Sequence, residues 1–333
     1  MTTTTDGTRV DVPPPWKLLG SPLTRAVLRI QHTVLSATRD YLVSQGFTEI
    51  LPPVIGPVTD PGTRGSKQVE IDYYGSTYRL MASAILYKQA TLLATDKIFC
   101  VAPNVRLEPL EAASTGRHLV EFHQIDVEMA HAGRDEAMAV AEGVVRAAVG
   151  AVLADRGAEL HELDRDLTGL RVARDEPFAH LTHAEATERL RSGDHLQDPY
   201  AELDWEGEAK LSRWVGRPMF VTDYPKGSRG FYDREDDRKP GRLRNFDLLA
   251  SEGFGELASG GEREFEHRRV ITRMRETGEN PSKYEWYLDL VRRGIPASAG
   301  FGVGVERLVR YLAGVPHIWQ ATAFPKLPGM VSP

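Results

Sequence analysis

The chain has 333 residues, 41% of them hydrophobic and 26% charged, with a formal net charge of −6. That is the composition of a globular protein, and no apolar run reads as the ~18 residues a membrane span needs, so no membrane partner is expected. A single cysteine, Cys100, excludes an internal disulfide, and the start MTTTTDGTRVDVPPPW lacks the basic and apolar regions of a signal peptide, which favours the cytoplasm. Lys and Arg are interleaved with Asp and Glu, as in REDDRKPGRLR, and this acidic balance argues against a nucleic acid as substrate, because such binders gather basic residues on one face.

Residues 1–21 are Thr- and Pro-rich and read as an N-terminal arm, leaving 22–333 as one domain without repeats or a clear linker. From Pro22 to Gln45, apolar residues recur at spacings of three and four (Leu23, Val27, Ile30, Val34, Leu35, Leu42), which predicts a helix with Ser21 as its cap and Gly46 as its end. Phe47 to Val54 reads as a short strand closed by Pro52 and Pro53. The stretch 56–68, GPVTDPGTRGSKQ, is either a mobile lid or an ordinary surface loop. Strand-like runs follow at Tyr73–Ala82, Lys97–Val105, Glu121–Ala130, Met219–Asp223, Asn245–Ala250 and Gly255–Ala258. Helices are expected near 83–95, from Asp135 to Arg156, and after Thr182, where Thr182 and Glu185 make a capping box. Strands cluster and do not alternate strictly with helices, so the expected class is α+β, an antiparallel sheet flanked by helices.

Two polar constellations carry chemistry. The first is Arg106-Leu107-Glu108, then Thr115-Gly116-Arg117-His118-Leu119, then Glu121-Phe122-His123-Gln124-Ile125-Asp126-Val127-Glu128. A guanidinium can clamp a phosphate or carboxylate, a carboxylate can accept from an adenine amine, and an aromatic face can stack on a base. Alone, Arg106 and Glu108 would read as a solvated pair. The second constellation is Gly300-Phe301-Gly302-Val303-Gly304-Val305-Glu306-Arg307, whose glycines allow close approach of a nucleotide and whose Arg307 can reach a phosphate. A dinucleotide-binding fingerprint is excluded, because the remaining chain has no room for the ~30-residue βαβ unit it requires.

Together these segments resemble motifs 2 and 3 of the class II aminoacyl-tRNA synthetases, and Gly46-Phe47-Thr48-Glu49-Ile50-Leu51-Pro52-Pro53 resembles motif 1, the dimer-forming element. Tyr284 to Leu290, Phe324 to Gly329, and Phe246-Asp247-Leu248-Leu249 followed by Gly255 to Glu264 are similar to the aspartyl/asparaginyl subgroup, so the resemblance covers about residues 22–330. It implies a class II synthetase-like catalytic domain, a homodimer, and ATP with Mg²⁺ as cofactors. By resemblance, Arg106, Glu108, His118, Leu119, Phe122, Gly304 and Arg307 would bind ATP, and Asp247, Glu256 and Ser259 the magnesium. Ser83, Ile85, Lys88, Gln124, Asp126, Arg229, Arg263 and Ser298 would line the amino-acid pocket, with Asp126 taking the substrate ammonium and Lys88, Arg263 and Arg106 serving as the catalytic cations.

Lys88 with Arg263 would set two cations against one carboxylate, which suits aspartate better than asparagine; the bland reading of Lys88 is a helix-surface lysine. Ile85 and Ser298 depart from the usual aspartyl-enzyme residues, glutamine and histidine. The motif 1 helix starts at Pro22 without the anticodon-binding domain that precedes it in aspartyl- and asparaginyl-tRNA synthetases, which makes the chain similar to stand-alone paralogues such as the archaeal asparagine synthetases related to asparaginyl-tRNA synthetase. The expectation is therefore an adenylate-forming ligase that activates aspartate and passes the acyl group to ammonia, giving asparagine, AMP and pyrophosphate, with tRNA an unlikely partner. The alternatives are transfer to another small amine or hydroxyl, transfer to tRNA, and a non-catalytic amino-acid-binding regulator.

Overall fold

The computed structural model describes residues 11–60 and 65–330, so residues 1–10 of the expected arm and 61–64 of the expected lid lie outside the described residues. The arm is not wholly irregular, since Pro15–Leu19 forms a short helix, α1. Next comes α2, Pro22–Ser44, capped as expected by Ser21, whose hydroxyl accepts from the Thr24 amide at 3.1 Å. The expected strand over 47–54 is confined to β1, Thr48–Glu49, because the two prolines cannot donate to a ladder. A small three-stranded sheet follows, made of β2 (Ile55–Gly56), β3 (Glu70–Tyr73) and β4 (Ser76–Leu80), so the expected strand Tyr73–Ala82 takes in the end of β3, a turn and β4.

The main elements then run α3 (Ile85–Thr91), β5 (Lys97–Val105), β6 (Glu121–Ala130) and α4 (Arg134–Asp155). The next stretch adds α5 (Gly157–Glu162), α6 (Thr168–Asp175), β7 (Ala179–Thr182) and α8 (Trp205–Val215), which the sequence reading did not set out, to the expected α7 (His183–Ser192) and β8 (Met219–Thr222). The chain closes with β9 (Asn245–Ala250), β10 (Gly255–Glu262), α9 (His267–Glu276), α10 (Glu285–Arg293), β11 (Ser298–Gly304) and α11 (Val305–Ala313). The capping box at α7 forms as expected, with the Glu185 amide donating to Thr182 Oγ1 at 3.2 Å and the Thr182 amide to Glu185 Oε2 at 2.7 Å.

The fold is α+β. An 8-stranded sheet of order β1-β5-β6-β11-β10-β9-β8-β7 is antiparallel throughout, except that β1 on β5 and β7 on β8 pair parallel at its two edges. Period-two alternation gives the sheet two different faces. Ile125 and Val127 of β6, Phe246 of β9 and Phe301 of β11 point into the core with Ile30 and Val34 of α2, Val145 and Val149 of α4, and Leu308 and Leu312 of α11. Each such burial contributes about 1.5–3 kcal/mol. Residues between them on β6, Gln124, Asp126 and Glu128, are turned to the opposite face, which carries the cleft. Helix α4 is apolar enough by length and composition to cross a membrane, with a mean hydropathy of 1.7, contrary to the reading of the linear sequence. Its buried residues from Ala137 to Val152 explain that apolarity, since they pack against α2 and the sheet.

Candidate active site

A cleft of 580 Å³ opens on the polar face of the sheet, walled by β6, β10, β11, the N-terminal ends of α3 and α11, and the loop after β5. Of the residues singled out in the sequence, Ser83, Ile85, Lys88, Arg106, Glu108, His118, Leu119, Phe122, Gln124, Asp126, Arg229, Glu256, Ser259, Arg263, Gly304 and Arg307 all line it. Two do not. Ser298 is buried behind the wall, where its hydroxyl donates to Glu128 Oε1 at 3.0 Å, and Asp247 lies beneath Arg229 with 1% exposure.

At the end of the cleft where the resemblance places the nucleotide, Arg106 donates from Nε to the Ala82 carbonyl at 2.9 Å, and its guanidinium lies 5.0 Å from the centroid of the Phe122 ring. The side chain is thereby held before any phosphate arrives. Opposite, Arg307 NH1 meets Glu256 Oε1 at 2.9 Å. Strict alternation would place Glu256 and Ser259, three residues apart, on opposite faces of β10. An irregularity in the β9–β10 register between Glu256 and Ala258 brings both into the cleft.

The loop after β5 is tied down by a partner the sequence did not suggest. Arg117 is buried and pairs with Glu208 of α8 at 2.7 Å, and the same Glu208 oxygen accepts the Glu256 amide at 3.0 Å. Glu202, in the loop before α8, and Trp205, its first residue, also reach the cleft. Sequence reasoning missed all three because α8 is remote in sequence from every motif.

At the end where the resemblance places the amino acid, the geometry corrects the expected two-cation clamp. Lys88 is buried and donates to Asp126 Oδ1 at 2.8 Å and to the Phe301 carbonyl at 3.1 Å, with Glu128 Oε2 at 3.6 Å. It is neither a surface lysine nor a cation reserved for substrate. Arg263 is gripped by Glu128, with Nε to Oε1 at 3.1 Å and NH2 to Oε2 at 3.3 Å, and its NH1 lies 3.4 Å from Asp233 Oδ1. Asp233 and Glu128 were not assigned roles from sequence. Asp233 lies in the charged stretch Asp223 to Glu235, yet it is 5% exposed. Its carboxyl is pushed up to about 6 by burial, against the pull of Arg263, Arg229 and Arg273.

The motif 3 glycines make room for this charge cluster. A Cβ at Gly300 would overlap the Glu128 carboxylate and the Val127 carbonyl, and one at Gly302 would come within 2.9 Å of Asp126 Oδ1. Only glycine leaves β6 its two carboxylates at this crossing.

The expected magnesium residues fit a hard divalent cation. Asp247 Oδ1 is buried without a hydrogen-bond partner among the described residues, and Glu256 and Ser259 add oxygen donors on the cleft wall. Asp247 Oδ2 is held at 2.5 Å by Arg229, which also donates to Ser259 Oγ at 2.9 Å. No group of three or more acidic, His or Cys side chains converges among the described residues, so such an ion would complete its shell with phosphates and water.

A largely antiparallel sheet whose open face carries Arg106 and Arg307 along one cleft with a buried, carboxylate-rich cluster defines an adenylate-forming ligase of the class II synthetase type. The chain matches the class II tRNA synthetases of the D, K and N group over residues 16–328 and belongs to that family. It is 34% identical over 313 residues to an asparagine–tRNA ligase of Pyrococcus abyssi, covering 94% of this chain and 71% of that protein. Asparaginyl-tRNA synthetase of Pyrococcus horikoshii, solved with asparaginyl-adenylate, superposes with a TM-score of 0.89 at 33% identity, over 94% of this chain and 71% of that one. An aspartyl-tRNA synthetase of Entamoeba histolytica superposes with a TM-score of 0.79 at 25% identity, over 98% of this chain and 64% of that one.

These relatives overturn two expectations. Synthesis of free asparagine from aspartate and ammonia does not stand, since the curated relative is a tRNA ligase and the solved one holds an adenylate of asparagine. The exclusion of tRNA as a partner falls with it. Physically, the clamp that favoured aspartate rested on Lys88, and Lys88 is committed to Asp126. The acidic net charge was a weak guide, because it averages over a surface on which a local groove can differ.

Proposed function

We propose that this chain activates asparagine with ATP, forming asparaginyl adenylate, and transfers the asparaginyl group to tRNA. The observation that carries the reading is the charge count in the pocket, where Lys88 and Arg263 are already met by Asp126, Glu128 and Asp233. A neutral amide adds nothing to that balance, whereas aspartate would bring a further carboxylate to a cluster whose two cations already face three carboxylates. Asp126 Oδ2 is buried without a hydrogen-bond partner among the described residues, which suits the substrate ammonium.

In the first step an oxygen of the asparagine α-carboxylate attacks the α-phosphorus, the bond to the β-phosphate oxygen breaks, and pyrophosphate leaves. Arg106 is positioned to offset charge on the reacting phosphate and Arg307 to hold the departing end. In the second step a ribose hydroxyl of tRNA attacks the acyl carbon and AMP leaves. Magnesium, held by Glu256 and Ser259 with Asp247 behind them, would neutralise phosphate charge when bound. A homodimer through α2 and β1 belongs to the same reading, supported by the exposed apolar side chains of Val43, Leu51 and Val54.

Pyrophosphate exchange into ATP, driven by asparagine or by aspartate, tests the first step. Asparagine should support exchange at least ~10²-fold better in kcat/KM, because a site built on paired polar groups rejects the mismatched isostere strongly. Charging of tRNA with labelled asparagine tests the second. Exchange driven by aspartate alone would sink the reading.

A further inference from the structure

The amide of the proposed substrate needs both a donor and an acceptor from the protein, and the hydrogen-bond inventory of the pocket narrows which residues remain for that task. Lys88 has three N–H bonds and three acceptors already in place, namely Asp126 Oδ1 at 2.8 Å, the Phe301 carbonyl at 3.1 Å and the Val127 carbonyl at 3.5 Å. Glu128 is likewise engaged, by Arg263 through both oxygens and by Ser298. Arg263 spends two of its five N–H bonds on Glu128 and one, over 3.4 Å, on Asp233. It can therefore still donate to a ligand.

Asp233 stands directly across from Arg263, the two forming an isolated antiparallel bridge, and both line the cleft. We infer that Asp233 is the residue that separates a side-chain amide from a side-chain carboxylate: it accepts from the amide nitrogen while Arg263 donates to the amide oxygen. This rests on the asparagine reading of the site given above. An aspartate substrate would instead bring its carboxylate against that of Asp233, and like charges at contact in a buried site repel.

The groups that face Asp233 are Arg263 at the end of β10, Arg229 from the preceding loop, Arg273 from α9, and Asp60, which accepts from Tyr232 Oη at 3.0 Å. Burial raises the Asp233 carboxyl to about 6, so it is ionised at neutral pH and gains its proton just below. Once protonated it can donate to a carboxylate, and discrimination against aspartate should weaken on that side of the transition.

The test is the ratio of kcat/KM for asparagine over aspartate in pyrophosphate exchange, on the whole chain, at pH 7.5 and 5.5. The wild-type ratio should fall ~10-fold or more at the lower pH. Asp233→Asn should lower the ratio ~10-fold or more at pH 7.5 and remove its pH dependence, while Asp233→Glu should keep both within a few fold. The ratio is internal to each sample, so a partly unfolded variant lowers both rates without moving it. A wild type that prefers aspartate would overturn the reading of the site. A wild type that prefers asparagine, with an Asp233→Asn ratio and pH dependence unchanged, would overturn the assignment to Asp233 alone.

Discussion

Lys88 and Asp126 form an ion pair at 2.8 Å in which neither side chain is more than 3% exposed, in the wall of the proposed amino-acid pocket. The pair holds the charge balance of the site, and removing one partner leaves buried charge without compensation. Lys88→Met strands Asp126 and Glu128 and should cost about 3–5 kcal/mol of stability. Thermal unfolding should show a markedly lower Tm, partly restored by adding Asp126→Asn. A wild-type Tm in the single variant would mean that the pair is dispensable.

Arg106→Ala and Arg307→Ala each remove a guanidinium from the proposed nucleotide end without opening the core. Loss of one preorganised charged donor should lower turnover in pyrophosphate exchange ~10²–10³-fold. Circular dichroism and Tm should stay near wild type, because the two arginines are only partly buried and line the cleft. Near-normal exchange in both variants would place the ATP phosphates elsewhere.

Glu256→Gln removes an anionic oxygen from the proposed magnesium position and also weakens the contact to Arg307 at 2.9 Å. The two effects separate by titration. If Glu256 holds the ion, the magnesium concentration for half-maximal exchange should rise several-fold in this variant and not in Arg307→Ala. An equal shift in both would assign the effect to the ion pair and not to the metal.

The parts of the fold that were legible in sequence are those with strong local signals. Helix α2 carries a Ser cap and a regular apolar stripe, and β5 and β6 carry long runs rich in β-branched and aromatic residues, so their bounds were read within a residue or two. The cleft residues on β6, β10 and α11 were legible because their chemistry is concentrated in short motifs. What remained hidden depends on tertiary contact. Glu208 meets Arg117 from 91 residues away, and nothing in its own helix marks it as different from the exposed Glu206 two residues earlier. Asp233 stands in a stretch of charged residues, and its burial beside Arg263 shows only in the fold. The role of Lys88 was misread for the same reason, since its position was legible but its partner was not.

His123 and Glu306 give the site a pH dependence of stability that can be separated from catalysis. His123 Nδ1 lies 3.0 Å from Glu306 Oε1, and the His123 amide donates to Oε2 at 3.0 Å. The hydrogen bond to Glu306 raises the imidazole above its ordinary value, with burial opposing. A raised folded-state value means that the protonated imidazole is favoured in the folded chain. Its contribution is therefore complete below the ordinary value of about 6.5 and is lost as pH rises through the folded value. The Tm difference between wild type and His123→Gln should be largest near pH 5.5 and should shrink towards pH 8.5. The amide bond to Glu306 survives the substitution, so the variant should still fold at both ends of the range. A difference that grows with pH would mean that the neutral imidazole is the favoured partner of Glu306.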